Sequence, residues 1–219
     1  MKRKLTLVLF VLFGLAASGC GGLASLTGSG NVVTREEAIT GFDMLDVSEG
    51  FQVDVRQGDN FSVVIRVDED LLDDLQVVKE GSTLKIGLKP GGSYNLKNVT
   101  LEADVIMPEL TGADLFSGSH LNGEVEIGDV TFNLSAGSHV TLSGSAGNLM
   151  IDANGGSHVN LADLAVVDAS VEANGGSHVT VNPSSTLNVV AKGGSHVTYL
   201  GSPTLGTIDT DGSSSFKQE

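Results

Sequence analysis

Apolar and polar side chains alternate along short segments of this chain, and bends rich in glycine separate the segments. In one segment, Leu149, Ile151 and Ala153 share one parity, whereas Asp152 and Asn154 share the other. A period of two places one set of side chains inward and the other in water, as in a half-buried β-strand. Long apolar stripes at helical spacing are missing. The pattern therefore predicts an all-β protein.

The strand-like segments belong to a repeat that is marked by the tripeptide Gly-Ser-His. The tripeptide occurs five times, at spacings of 19, 19, 20 and 18 residues, and it contains every histidine of the chain: His120, His139, His158, His178 and His196. A degraded sixth copy follows at 212–214, which predicts Ser214 in the histidine position. Each copy continues with a short strand, a polar bend and a second strand.

A repeat of this length predicts a right-handed parallel β-helix, or β-solenoid, with about 18–20 residues per coil. One unit cannot bury its apolar face alone, but copies stacked in register bury a continuous core. Parallel connections of this kind are right-handed in nearly all cases. A β-meander or sandwich is the alternative, but it predicts hairpins and does not explain identical turns at one fixed period.

The less regular part from 31 to 110 is also rich in alternating segments, and we interpret it as irregular coils of the same solenoid. Residues 31–215 then form a single β-helical domain, with the Gly-Ser-His repeats in 111–215 and a polar tail at 216–219. Acidic residues in 68–75 predict one helical turn. All four prolines are expected between strands, where a missing backbone donor does least harm.

The N-terminus predicts export and lipid anchoring. Lys2, Arg3 and Lys4 precede an apolar run of 13 residues, shorter than the roughly 20 that span a bilayer. Residues 15–20 resemble a bacterial lipobox that ends at Cys20, the only cysteine, although Ala17 stands where leucine is more usual. The alternative is an ordinary cleavable signal. We expect a signal peptide at 1–19, lipidation of Cys20 and a flexible tether at 20–30.

The net charge of the chain restricts which partners it can bind. Without residues 1–19, nine basic residues face 27 acidic residues, a formal charge of −18. Such a polyanion repels phosphate backbones and anionic headgroups, so nucleic acid is excluded and the membrane attachment is the lipid itself. Gly21 rather than aspartate follows Cys20, which in a Gram-negative host is typical of outer-membrane lipoproteins.

Several segments resemble a known family. The segments 28–33, 41–47, 51–59 and 81–86, together with the Gly-Ser-x-Val repeats, are similar to the putative auto-transporter adhesin, head GIN domain family, a domain of unknown function. The resemblance covers roughly 28–215. It implies a β-helical fold on exported or lipid-anchored proteins, with a role in adhesion. It brings no catalytic residues to this chain.

The histidines are the candidate site. Stacking in register predicts a ladder of His120, His139, His158, His178 and His196, about 4.8 Å apart and facing solvent. Three interpretations remain open: a structural polar stack, a shared site for Zn²⁺, Cu²⁺ or Ni²⁺ in an envelope buffer or sensor, and a stripe that recognises a glycan or a peptide.

Catalysis has little support in the sequence. Many parallel β-helices act on polysaccharides, with acids that line a cleft, but the turns here are short and uniform. Asp152 and Glu172 are expected to stack as an acidic column. The glycine turns match neither a calcium repeat nor a phosphate loop. We expect a non-enzymatic, lipid-anchored envelope protein that presents an interaction or adhesion surface, with metal binding as the alternative.

Overall fold

The repeat region folds into a stack of parallel strands. The computed structural model describes residues 25–89 and 94–219. Ten strands cover the repeats: β10 Gly112–Leu115, β11 His120–Glu126, β12 Val130–Leu134, β13 His139–Ser145, β14 Leu149–Ala153, β15 His158–Ala173, β16 His178–Ala191, β17 His196–Tyr199, β18 Thr204–Thr210 and β19 Ser215–Gln218. All pairs among these ten strands are parallel. The predicted all-β solenoid is confirmed.

Equivalent positions of successive coils stand side by side, so the core consists of columns of like side chains. One inward column on the first strand of each coil is less than 3% exposed throughout: Leu121, Val140, Val159, Val179 and Val197. Phe132 and Leu134 of β12 are also fully buried in the repeat core. Burial of each such side chain stabilises the fold by about 1.5–3 kcal/mol. The columns explain why the repeat length stays within 18–20 residues.

One proline departs from the sequence prediction. Pro183 lies inside β16 rather than between strands, and its side chain is buried. It pairs with Val166 at a point where the register between β15 and β16 shifts on both sides. Because the hydrogen bonding between β15 and β16 is already irregular there, the missing N–H of proline costs little strand pairing.

The first half adds antiparallel pairs to the parallel stack. Its strands are β2 Val32–Glu36, β3 Met44–Val47, β4 Gln52–Gln57, β5 Ser62–Asp68, β6 Leu75–Glu80, β7 Thr83–Leu88 and β9 Leu101–Met107. Strands β3 and β4 continue the two stacks in parallel with β10 and β11, and β7 and β9 follow them. The pairs β2–β5, β5–β9 and β6–β7 are antiparallel.

The interpretation of 31–110 as irregular coils therefore describes the parallel rungs but misses these antiparallel pairs. A two-residue loop of Gly81 and Ser82 joins β6 to β7, and Gly81 has a φ of 62°. Loops of this length favour hairpins when glycine supplies the positive φ. In place of the predicted helical turn over 68–75, Glu69–Leu71 forms one 3₁₀ turn.

Both ends of the described chain are more ordered than the sequence predicts. Within the tether expected at 20–30, β1 Ser25–Thr27 pairs in parallel with β8 Asn95–Lys97. Asp68, which is 1% exposed, accepts hydrogen bonds from the backbone N–H groups of Gly30 (2.9 Å) and Thr100 (2.6 Å). These two hydrogen bonds hold the backbone at Gly30 in place against the first half of the molecule. Most of the tail expected at 216–219 belongs to β19, which pairs with β17.

The predicted signal peptide at 1–19 and Cys20 lie outside the described residues. Among the residues that are described, no helix is long and apolar enough to cross a membrane.

Candidate functional site

A tight turn places each histidine at the start of a strand. In the coil that contains His158, Gly155 and Gly156 have φ values of 61° and 75°, which glycine adopts without steric cost. Ser157 follows, and its Oγ donates a hydrogen bond to the carbonyl of Asn154 at 2.6 Å. The backbone N–H of His158 then donates to the carbonyl of Ser138 in the preceding coil at 2.9 Å. The turn is therefore fixed both internally and against its neighbour.

The serines of the repeat are structural, a role that our sequence analysis missed. All five are 0% exposed: Ser119, Ser138, Ser157, Ser177 and Ser195. Each Oγ donates to the carbonyl three residues earlier, at 2.6 to 2.8 Å. The signal was present, because serine recurs in every copy as faithfully as histidine. A small hydroxyl residue just after glycines is typical of a self-satisfied turn.

The five histidines form one continuous stack, which we call the histidine ladder. The ring centroids of successive members are 4.4, 4.8, 4.9 and 4.7 Å apart. The angles between successive ring planes are only 3° to 11°. The rings therefore cover one another's faces, and they present their edges to the surroundings.

The ladder is bounded by residues that are not histidine. Gln52 pairs with His120 at one end, and Ser215 pairs with His196 at the other. The prediction of Ser214 in the histidine position is therefore wrong by one residue. The Oγ of Ser214 instead accepts a hydrogen bond from the N–H of Ser195, beside the serine column. The additional residue of the last coil lies within β18, where the register with β16 shifts between the pairs Leu187–Leu205 and Val189–Ile208.

Solvent reaches the ladder unevenly, and this affects its titration. His120 and His139 are half-buried, whereas His158, His178 and His196 are exposed. Burial lowers the pKa of His139, and the charge of neighbouring His120 lowers it further. Burial also lowers the pKa of His178, together with His158 and His196 on either side. A backbone hydrogen bond with Gly137 partly offsets the lowering of the His139 pKa.

The stacked ring planes limit what the ladder can do with a metal ion. An imidazole nitrogen binds a metal along its lone pair, which lies in the plane of the ring, at about 2.0–2.1 Å for zinc. Two parallel rings have no common plane, so neighbours in this orientation cannot share one ion. Across the described residues, no three His, Cys, Asp or Glu side chains are grouped as metal ligands.

A second column of polar side chains follows the other stack of strands, and we call it the acidic column. Its members are Asp46, Asp114, Asn133, Asp152 and Glu172, each paired in register with the next. Asp152 and Glu172 thus stand side by side, as the sequence predicts. Asp46 and Asp114 were not predicted in this column. Asp46 has no Gly-Ser-His tripeptide in its own coil, but Asp114 lies six residues before His120, the same offset as Asp152 before His158, so the spacing already indicated it. Burial raises the pKa of Asp46, which Lys85 partly offsets.

Shallow grooves lie between coils on the described surface. One groove of about 300 Å³ runs between coils beside Asp129, Met150 and Asp168. The Oδ1 of Asp129 accepts the backbone N–H of Asn148 at 2.7 Å. Hydrogen bonds from the hydroxyls of Ser185 and Thr186 lower the pKa of Asp168. The lowered pKa keeps the Asp168 carboxyl ionised, so it is not suited to act as a general acid.

Solved structures share the fold at low sequence identity. A putative adhesin from Bacteroides fragilis is 16% identical over 89% of this chain and 100% of its own, with a TM-score of 0.67. A putative lipid binding protein from Parabacteroides distasonis is 19% identical over 89% of this chain and 99% of its own, with a TM-score of 0.58. A putative adhesin from the same organism has a TM-score of 0.54 at 15% identity, over 89% of this chain and 100% of its own.

A search of curated proteins finds no match to this chain. The family model described as putative auto-transporter adhesin, head GIN domain, matches residues 41–203, which include the whole histidine ladder and the acidic column from Asp46 onward. The resemblance seen in the sequence is therefore confirmed, and the chain belongs to the family of putative auto-transporter adhesin, head GIN domains.

Proposed function

We propose that this chain is a non-enzymatic, lipid-anchored protein of the cell envelope, which presents the histidine face of its β-solenoid as an interaction or adhesion surface. One observation carries the proposal. Gln52 and Ser215 occupy the same register position as the histidines in the adjoining rungs, so the fold accepts other polar residues there. Five successive histidines are therefore not a requirement of the stack.

The chemistry of the ladder favours a partner with repeated polar groups. Because the ring faces are covered, the ladder offers ring edges, whose nitrogens donate or accept hydrogen bonds. A second polar column lies two residues further along each strand: Asn122, Thr141, Asn160, Thr180 and Thr198. Together the two columns form a hydrogen-bonding strip without a cleft, which suits an extended glycan or peptide. The adhesin-like membership of the family supports this reading.

Lipidation of Cys20 would hold this surface at a membrane, in the outer membrane if the host is Gram-negative. Two or three acyl chains anchor a protein stably, at about 0.8 kcal/mol for each buried methylene. We expect the chain to incorporate a palmitate analogue in bacteria and to sediment with membranes. The Cys20→Ser variant should do neither. A labelled Cys20→Ser variant, or an unlabelled membrane-free parent, would contradict the anchor.

Adhesion is tested with beads that carry the purified protein, placed under flow on mucin and on isolated bacterial envelopes. We expect several-fold greater retention of beads with the parent protein than of beads in which all five ladder histidines are changed to glutamine. Glutamine is chosen because Gln52 already fits this register. The matched control changes Asp59, Glu69 and Asp70, all exposed and outside the ladder, to their amides. Equal retention of all three proteins would contradict a role for the ladder.

A further inference from the structure

The histidine ladder and the acidic column have the same rise along the solenoid. His139, His158 and His178 pair in register on the first strands of the coils. Asn133, Asp152 and Glu172 pair in register on the second strands of the coils that begin at His120, His139 and His158. Because both columns advance by one parallel rung at a time, their spacings match over several steps. A ladder on one molecule is therefore commensurate with the acidic column of another.

The acidic column is arranged as a row of fixed hydrogen-bond acceptors. The Nδ2 of Asn133 donates to the Oδ1 of Asp114 at 2.7 Å. The Nδ2 of Asn154 likewise donates to the Oδ1 of Asp152 at 2.6 Å, and that of Asn174 to the Oε1 of Glu172 at 3.3 Å. Each amide takes one carboxylate oxygen and holds the group in place. No cationic side chain within the described residues forms an ion pair with Asp114, Asp152 or Glu172.

We propose that the histidine ladder of one copy docks on the acidic column of a second copy when the imidazoles are protonated. The inference rests on the proposed function, because it names a partner for the same exposed face. Ring edges carry the N–H groups, and a protonated imidazole donates from both nitrogens. Donors and carboxylates of opposite charge, repeated at one spacing, then meet along several rungs. Charge-assisted hydrogen bonds of this type are the stronger ones.

The contact joins two different surfaces of the protein, so the same contact can repeat from one copy to the next. The two columns lie on separate stacks of strands, and each copy carries one of each. A contact between a ladder and an acidic column leaves a free column at both ends of the pair. Heterologous contacts of this kind form rings or open filaments rather than closed dimers. Assembly therefore continues beyond two copies in the parent protein.

Other charged groups near the ladder set the pH dependence and have to be considered with it. At one end, Asp54 and Arg56 lie outward on β4, and Glu124 lies outward on β11. At the other end, Lys217 lies outward on β19, and Lys192 and Asp211 belong to the adjoining turns. Charges of both signs thus border the two ends. The middle rungs, from His139 to His178, have mainly other imidazoles as their ionisable neighbours on these strands.

Sedimentation velocity of the purified protein tests the inference at about pH 7.5 and about pH 5.5, which lie on either side of the ordinary histidine pKa. We expect a monomer at the higher pH and a mass at least roughly two-fold larger at the lower pH. Two variants each remove one surface. The first changes all five ladder histidines to glutamine. The second carries Asp114→Asn, Asp152→Asn and Glu172→Gln. Each variant alone should stay monomeric at both pH values.

A mixture of the two variants provides the decisive sample. The acid variant keeps a ladder and the histidine variant keeps an acidic column, so the mixture at low pH should form a one-to-one pair and stop there. The control with Asp59, Glu69 and Asp70 changed to amides loses the same charge elsewhere and should assemble like the parent. Circular dichroism of each variant confirms that it is folded.

If loss of net charge alone caused association, the acid variant would associate more strongly than the parent, which is the opposite of our expectation. The chain has an isoelectric point near 4.5, so a non-specific association would grow stronger in the acid variant. A parent that stays monomeric at low pH, or an acid variant that assembles as well as the parent, would overturn the inference. Binding of dextran sulfate without self-assembly would overturn it too, in favour of a different anionic occupant. Ladder-dependent bead retention at neutral pH would survive either result, so the two failures are distinguishable.

Discussion

Within each Gly-Ser-His tripeptide, the serine and the histidine have opposite roles although both recur equally. The serine is buried and closes the turn through its own hydroxyl, whereas the histidine points outward and stacks on the histidines of the adjoining rungs. Alternation along the strand predicted on which side each histidine lies. It could not predict the ring orientation, because parity fixes the direction of Cβ but not the side-chain torsions. The parallel stacking of the rings, which opposes metal sharing, was therefore visible only in the structure.

At the scale of residues, we predict that protonation of the ladder histidines lowers the free energy of unfolding as the pH is lowered. The pKa values of His139 and His178 lie below their ordinary value in the folded protein, so the unfolded chain binds more protons in that range. Stability then increases with pH through this window, and the loss on acidification begins as the pH falls below about 6.5. Thermal unfolding between about pH 7.5 and pH 5, at protein concentrations too low for self-assembly, measures this effect.

The variant with five glutamines serves as the control for that titration. Its melting temperature should change less over the same interval, since only the contribution of the carboxylates remains. An unchanged slope in the variant would show that the ladder does not contribute to the pH dependence.

We also predict that isothermal titration of Zn²⁺, Cu²⁺ or Ni²⁺ finds no binding tighter than about 1 µM in the monomeric protein at neutral pH. The reason is the parallel ring planes, which leave each ion with a single imidazole ligand from the ladder. Binding that is tighter, and that disappears in the variant with five glutamines, would require the rings to rotate and would restore the metal hypothesis.

At the scale of elements, the turns were easier to predict than the pairings. Glycine runs marked the bends at one fixed period, but the composition of β16 hid its continuity through Pro183. The antiparallel pairs of the first half were missed, since their strands alternate in the same manner as those of the coils. Alternation reports which face of a strand is buried, and it carries no information about the direction of the neighbouring strand. Repetition supplied that information only from residue 111 onward.

The turns allow a pair of opposite substitutions. Ala136 has a φ of 53° at the position held by Gly155 and Gly175 in later coils. We expect Ala136→Gly to raise the free energy of unfolding by about 0.5 to 1 kcal/mol, because relief of the left-handed strain outweighs the entropy that glycine adds to the unfolded chain. Gly175→Ala should lower it by about 1 to 2 kcal/mol, because its Cβ would also lie 3.3 Å from the backbone nitrogen of Gly155.

Urea denaturation measures both changes under identical conditions. Their signs must differ, and two changes of the same sign would mean that the backbone at this turn is not held in the left-handed region.

At the scale of the whole molecule, the sequence predicted the architecture of the repeats well and the ends poorly. The solenoid follows from a single requirement, burial of the inward column, which every copy meets with similar residues. The ends have no such repetition, and their order depends on a few long-range hydrogen bonds. The Asp68 carboxylate is the clearest case, since it joins the backbone at Gly30 to that at Thr100. A single aspartate after an alternating strand gives no sign of this in the sequence.

We therefore predict that Asp68→Asn destabilises the first half of the molecule by about 1 to 3 kcal/mol, because an amide cannot accept both backbone hydrogen bonds as the carboxylate does. Hydrogen exchange followed by mass spectrometry should show faster exchange at Gly30 and Thr100, while the rungs from His139 to His196 keep their protection. Asp70→Asn, which changes an exposed neighbour, is the matched control. Uniformly faster exchange along the whole stack would contradict a local role for Asp68.

The in-register pairing of the histidine positions in successive coils also affects how such a surface changes during evolution. Each coil contacts its immediate neighbours, so the gain or loss of one coil by unequal recombination leaves the remaining contacts intact. Every such event adds or removes one histidine and one outward polar residue together, in the same columns. The number of binding groups on this surface can thus change one coil at a time, without a new residue having to arise at any position.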